Sequence, residues 1–124
     1  SPERTATFAQ GAAGRGIKII IVGAGMAAHL AGVIASMTPL PVMGVPIDSS
    51  SLSGMDALFS TVQMPGGIPV ATMAIGKAGA KNAALLAVRI LALEDKELRT
   101  RLDGYRKDLA DSVEKRNRTL QAMQ

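Results

Sequence analysis

The chain has 124 residues, enough for one domain that buries a sizeable core. It has no cysteine and a single histidine, which excludes disulfides and makes a metal site improbable, and the lack of cysteine favours a reducing, cytoplasmic setting. The net charge of +4 is dispersed, since residues 94–124 mix eight basic with seven acidic side chains. Without a basic stripe or stacking aromatic residues, we expect no nucleic-acid partner.

A long uncharged stretch raises the question of a membrane span. Residues 19–47 contain no Asp, Glu, Lys or Arg, and this run exceeds the ~20 residues that a transmembrane helix needs. Glycines and prolines divide it into short pieces, whose backbone a lipid-exposed span could not satisfy. We therefore interpret the stretch as buried strands and helices and expect no membrane association.

The apolar pattern predicts alternating helices and strands. In chain order these are a helix at 1–13, a strand at 17–22, a helix at 26–37, a strand at 40–46, a helix at 54–61, a strand at 70–75 and a helix at 80–93. This order is typical of an α/β fold with a parallel sheet. A chain that opens on a helix leading into a central strand also leads us to expect a preceding strand outside this sequence.

The most informative segment joins the first strand to the next helix. The run at 19–22 is β-branched, and Gly23 and Gly25 follow it, so we expect a sharp glycine turn there. The N-terminal end of the following helix attracts anions, and His29 lies in its first turn. In parallel α/β sheets ligands bind beyond the carboxyl ends of the strands. The segment therefore predicts an anion site with an imidazole available for acid–base work.

Other interpretations remain open at this point. Residues 23–28 fit the G-x-G-x-x-A dinucleotide fingerprint, and Asp48 follows the next strand, where a ribose-binding acid would lie. An NAD(P)-binding, Rossmann-type oxidoreductase is therefore one alternative. A second, non-catalytic alternative is an oligomeric scaffold or homologue without activity. For His29 itself, the alternative to a site role is a histidine that is simply hydrogen-bonded in the core.

The last segment differs from the rest. Residues 94–124 form a charged helical arm, distinct from a core at 1–93, with one narrow apolar stripe. The stripe consists of Leu98, Leu102, Tyr105, Leu109, Val113 and Leu120. We expect this arm to mediate homo-oligomerisation; the alternative is that it packs on its own domain.

Five ordered segments resemble the signatures of the bacterial PurE family, N5-carboxyaminoimidazole ribonucleotide mutase. They read GAGMAAHLAG at 23–32, LPVMGVP at 40–46, LSGMDAL at 52–58, VQMPGGIPVAT at 62–72 and AIGKAGAKNA at 74–83. The similarity covers residues 1–93, and the arm is similar only in being helical. The resemblance implies a three-layer, flavodoxin-like α/β fold with a long C-terminal helix, assembled into an octamer with sites between subunits.

The resemblance also implies a reaction and its residues. A carboxylate moves from the exocyclic nitrogen to ring carbon C4 of aminoimidazole ribonucleotide through enclosed carbon dioxide, without cofactor or metal. His29 matches an active-site histidine, and the segment at 63–65 matches a loop that closes the site from a neighbouring subunit. The implied substrate-binding residues are Gly23, Ala24, Gly25, Met26, Ala27, Ala28, Leu30, Gln63, Met64 and Pro65.

The chain departs from the family pattern in two ways. Met26 replaces the usual glycine and Ala31 the usual proline. The family also carries upstream a Gly-Ser-x-Ser-Asp phosphate loop and a Ser-Ala-His-Arg segment with the principal proton-transfer histidine, and neither occurs in this sequence. We therefore expect these 124 residues alone to convert substrate poorly. Conversion at rates typical of enzymes (about 1–1000 per second) would contradict that expectation.

Overall fold

The computed structural model describes residues 1–123, in which α-helices and β-strands alternate before a long last helix. The helices are α1 (Pro2–Gly11), α2 (His29–Met37), α3 (Met55–Val62), α4 (Gly76–Leu91) and α5 (Lys96–Gln121), with a 3-10 turn at Ala13–Arg15. The strands are β1 (Ile20–Gly25), β2 (Val42–Ile47) and β3 (Ala71–Thr72). The predicted order of elements is confirmed.

The three strands form one parallel sheet in the order β1-β2-β3. Ile20 of β1 pairs with Val42, and Ala71 of β3 pairs with Met43. The parallel α/β prediction is therefore correct. Within the part of the chain that the structure describes, β2 rather than β1 is the central strand.

The predicted bounds of the first strand, 17–22, are wrong at both ends. The Ile17 N–H still donates to the Ala12 carbonyl at 3.2 Å, so this residue completes the connection from the preceding turn. At the other end Gly23 and Gly25 pair with Val45 and Ile47, which keeps the strand extended through both glycines. The expected glycine turn is therefore part of the strand.

Other element bounds shift less. The third strand shrinks from the predicted 70–75 to the two residues Ala71 and Thr72, after which the Met73 N–H still donates to the Gly44 carbonyl at 2.8 Å. Helix α4 consequently starts at Gly76 instead of residue 80. The second strand, predicted at 40–46, begins two residues later, at Val42, and ends one residue later, at Ile47. Helix α3, predicted at 54–61, is displaced by one residue.

Both faces of the central strand are covered. A methyl group on Gly44 would lie 2.5 Å from Thr61 of α3 and 3.4 Å from Ala31 of α2, so these two helices pack on that face at close range. Met43 and Val45 point to the opposite face and are also buried. The fold is the predicted three-layer, flavodoxin-like arrangement. The core cluster on the α2 side consists of Ala9, Ala12, Ile20, Val22, Ala31, Ile34 and Val42.

The chain divides into two compact units, Ser1–Leu85 and Leu86–Gln124, so that α4 begins in the first and ends in the second. In the second unit the Asp95 carboxylate caps α5 by accepting the Leu98 N–H at 2.8 Å. The inner part of the predicted arm stripe is half-buried, whereas Val113 and Leu120 are more than 60 % exposed. The predicted domain division at 93/94 remains a prediction.

Among the residues described, no helix is both long enough and apolar enough to cross a membrane.

Candidate functional site

The C-terminal end of β1 is an open stretch of backbone. Gly23 is exposed, while Ala24 and Gly25 are half-buried. A side chain on Gly25 would collide with the Ser49 hydroxymethyl group and approach the Ile47 carbonyl oxygen to 3.3 Å. Glycine at this position therefore lets the segment after β2 lie directly against the end of β1.

The turn that follows is made by residues other than glycine. The Ala28 N–H donates to the Gly25 carbonyl at 2.9 Å, and Met26 and Ala28 adopt positive φ values of 54° and 42°. This is why α2 begins at His29 and not at the predicted residue 26. It also differs from a dinucleotide fingerprint, whose first glycine itself forms the turn.

The positive φ of Met26 should strain the backbone, and a substitution by glycine tests this. Left-handed backbone costs a residue with a Cβ about 1–2 kcal/mol, and Met26→Gly should therefore stabilise the protein by roughly 0.5–1 kcal/mol after the entropic cost of glycine. Chemical denaturation measures this difference. Ala27→Gly is the matched control, because Ala27 is not among the residues with positive φ, and it should be neutral or destabilising. A Met26→Gly protein less stable than the parent would contradict the expected backbone strain at Met26.

His29 is the first residue of α2 and its side chain is exposed. Within the described residues its imidazole makes no hydrogen bond, so the ring is available to a ligand rather than satisfied in a core. The residue before it, Ala28, offers no capping side chain, and the first N–H groups of α2 therefore lack a side-chain acceptor. The nearby residues Leu30, 40 % exposed, and Ala27 are exposed as well.

The loops after β2 and β3 meet the same edge of the sheet. The Asp48 carboxylate lies 3.5 Å from the Cβ position of Gly76 at the start of α4, and the Asp48 Cα lies 3.3 Å from that of Gly54. Ser49, in the loop after β2, lies against Gly25 at the end of β1. Sequence reasoning missed Ser49 and considered Asp48 only under the dinucleotide alternative. The general rule that parallel strands end at one edge could have identified both.

The predicted site segment Gln63, Met64 and Pro65 belongs to the loop between α3 and β3 and not to the C-terminal end of β1. It precedes β3, whose Ala71 is level with Met43 near the start of β2, whereas Gly25 lies at the opposite end of the register. Only Met64 is placed by a contact near the site, with its sulfur 3.1 Å from the Cβ position of Gly32 in α2. The expectation that this segment serves a neighbouring copy stays a prediction.

Within residues 1–123, no three His, Cys, Asp or Glu side chains come close enough together to hold a metal ion.

Comparisons with known proteins give the family. The family model described as AIR carboxylase matches residues 1–112. An N5-carboxyaminoimidazole ribonucleotide mutase of Brucella melitensis is 60% identical over 94% of this chain and 72% of its own length. The enzyme of the same name from Escherichia coli strain K12 is 58% identical over 91% of this chain and 67% of its own. The one from Pyrococcus horikoshii is 54% identical over 99% and 68%. On this basis the chain belongs to the AIR carboxylase family.

Proposed function

We propose that the protein is an N5-carboxyaminoimidazole ribonucleotide mutase of purine biosynthesis. In this isomerisation the exocyclic N–CO₂ bond breaks, and the nitrogen keeps the electron pair and takes up a proton. Ring carbon C4 then attacks the released carbon dioxide and loses its own proton. One proton is consumed and one is released, so the overall reaction needs a proton-transfer group and a closed space, and no redox partner.

The placement of His29 carries this proposal. Its unbonded, exposed imidazole stands at the first residue of α2, directly after the open backbone of Gly23, Ala24 and Gly25. An imidazole there can border a planar heterocycle laid against the glycine strand end and exchange protons with it. The uncapped N–H groups of α2 offer donors to the migrating carboxylate.

The other site residues have supporting roles in the proposal. Gly23, Ala24 and Gly25 supply backbone contacts to the substrate, because a strand end without bulky side chains permits close approach. The residues of the turn, Met26, Ala27 and Ala28, shape one wall of the pocket together with Leu30. The exposed Met26 thioether adds a flexible apolar surface to that wall.

We also propose that the site is completed by a second copy of the chain within a homo-oligomer, an octamer as the family resemblance implies. Support comes from Gln63 and Pro65, which are both exposed and can therefore contact a neighbouring copy. A neighbouring copy could supply these residues and exclude water from the carbon dioxide. A cytoplasmic location fits a chain without cysteine.

An isotope experiment tests the reaction. The complete protein that carries this sequence is given substrate labelled with ¹³C in the carboxylate, in buffer containing unlabelled bicarbonate. A mutase transfers the label to C4, and the product retains it. Loss of the label to solvent would instead indicate a carboxylase that draws on free carbon dioxide, and no product at all would favour a non-catalytic homologue.

Removal of the arm tests its role in assembly. A protein ending after Leu93 loses α5 and with it the exposed stripe residues Val113 and Leu120. We expect a fall in oligomer mass, measured by light scattering, larger than the mass of the deleted residues. Double replacement of these two residues by Ser in the intact chain is the milder companion variant. An unchanged number of subunits after truncation would show that the arm packs on its own domain.

A further inference from the structure

The second unit, Leu86–Gln124, contains a cleft that the proposed reaction does not use. The cleft has a volume of about 320 Å³ and lies between the end of α4 and the first turns of α5. This volume is at the small end of the range of about 300–1000 Å³ in which ligand sites fall. The lining residues are Arg89, Ala92, Arg99, Leu102, Asp103 and Arg106, and we call this the arginine cleft.

Two helices bring three guanidinium groups together in the arginine cleft. Arg99 and Arg106 are seven positions apart on α5, which is almost two full turns, so their side chains leave the same face of the helix. Arg89, in the last turn of α4, lines the same cleft. All three arginines are exposed, whereas Ala92 is buried and Leu102 is half-buried. The cleft therefore combines accessible cations with a small apolar surface.

The carboxylate of the cleft does not neutralise these arginines. Asp103 approaches Arg106 only to 3.9 Å, and both side chains are about two-thirds exposed, so this ion pair contributes little. Within the part of the chain that the structure describes, Arg89 and Arg99 make no hydrogen bond or ion pair. Three positive charges and one negative charge leave the cleft with a net charge of +2.

The two helices offer the arginines few other partners. The residues three and four positions away from Arg89, on either side, are all leucine or alanine. Asp95, four positions before Arg99, already caps α5 by accepting the Leu98 N–H at 2.8 Å. The surplus positive charge is therefore available to an anion from solution.

The charge and size of the cleft indicate which anion fits. Guanidinium groups donate paired hydrogen bonds to phosphate and carboxylate oxygens. A phosphate monoester carries close to two negative charges at neutral pH, because its second pKa is about 6, and this charge matches the net +2. A monocarboxylate would balance only half of it. The apolar atoms of Ala92 and Leu102 can contact the carbon atoms of a small ester, whereas the volume excludes an extended polyanion.

We propose that the arginine cleft binds a small phosphate monoester, with Arg89, Arg99 and Arg106 donating hydrogen bonds to the phosphate oxygens. A free phosphate ion shares this chemistry, so the experiment compares the two. The proposal is independent of the mutase function, because the cleft uses none of the residues assigned to that reaction.

Isothermal titration calorimetry of the complete protein with glycerol 3-phosphate tests the proposal. Arg99→Gln should raise the Kd for the cleft roughly tenfold or more, because it removes charge-assisted hydrogen bonds. Arg101→Gln is the matched control: Arg101 is exposed on α5, about 160° away from Arg99, and its loss changes the total charge equally. This control should keep the parental Kd within about twofold. A phosphate site elsewhere in the protein is common to both variants and cancels in the comparison.

Two further ligands identify what the cleft recognises. Glycerol should not bind, since it lacks the phosphate, and inorganic phosphate should bind more weakly than glycerol 3-phosphate, since it lacks the carbon atoms. Inorganic phosphate that binds as tightly as the ester would contradict the monoester and assign the cleft to the free ion. An Arg99→Gln protein with parental affinity, equal weakening in Arg101→Gln, or a parent protein that binds neither phosphate compound would overturn the proposal.

Discussion

Replacement of His29 by Asn should lower kcat of the complete protein by about 100- to 10,000-fold, the range that a positioned proton-transfer group contributes. Asparagine keeps a hydrogen-bonding side chain of similar reach but cannot exchange protons near neutral pH. The fold should be unaffected, because the imidazole is exposed and makes no hydrogen bond within the described residues. Steady-state kinetics together with thermal unfolding measure the two effects separately.

The control for this experiment lies two turns along the same helix. Ser36 is exposed in α2, and its hydroxyl donates only to the Val33 carbonyl at 2.8 Å. Ser36→Ala should therefore leave kcat and KM unchanged. If His29→Asn also left both constants unchanged, the imidazole would have no part in the reaction and would be an ordinary surface side chain.

Replacement of Gly44 by Val should have the largest effect on stability. The first added carbon would lie 2.5 Å from the Thr61 Cγ2 and 3.0 Å from the Val70 Cγ1, in the middle of the central strand. Overpacking of this kind costs about 1–3 kcal/mol, and each kcal/mol corresponds to a fall in Tm of roughly 4–8 °C for a unit of this size. Chemical and thermal denaturation both measure the loss.

Two further variants show whether the clash is the cause. Gly14→Ala adds a methyl group where no atom lies within 4 Å, and it should change stability by less than about 0.5 kcal/mol. Thr61→Ser removes the methyl group nearest Gly44, so the double variant should recover part of the loss in a double-mutant cycle. Additive effects of the two substitutions would contradict the proposed contact.

The order of helices and strands could be predicted from the sequence because it depends on local patterns. The β-branched run before Gly23 and the proline after Thr38 mark the ends of elements through backbone preference alone. The extension of β1 through Gly25 could not be predicted in this way. It depends on pairing with Ile47 and on the space that Ser49 occupies, and both are long-range contacts.

In the candidate site too, local sequence predicts some features, and long-range contacts determine the others. His29 could be identified because a lone histidine at the start of a helix after a strand is visible in one segment of sequence. The positive φ of Met26 and the approach of Asp48 to Gly76 were not visible, since they arise from loops that meet only in the folded sheet. The exposure of Met55, Phe59 and Val62 on α3 could not be predicted for a similar reason, because an apolar helix face in sequence predicts burial against the sheet.

Hydrogen exchange measured by mass spectrometry, with and without aminoimidazole ribonucleotide, tests the central claim most directly. If the ligand lies at the C-terminal edge of the sheet, the amides of residues 23–30 should be protected, together with those next to Ser49. The opposite edge, at residues 38–41, serves as an internal reference and should not change. Protection confined to that reference edge, or no protection at residues 23–30 at a ligand concentration that saturates the protein, would contradict the assignment of the site.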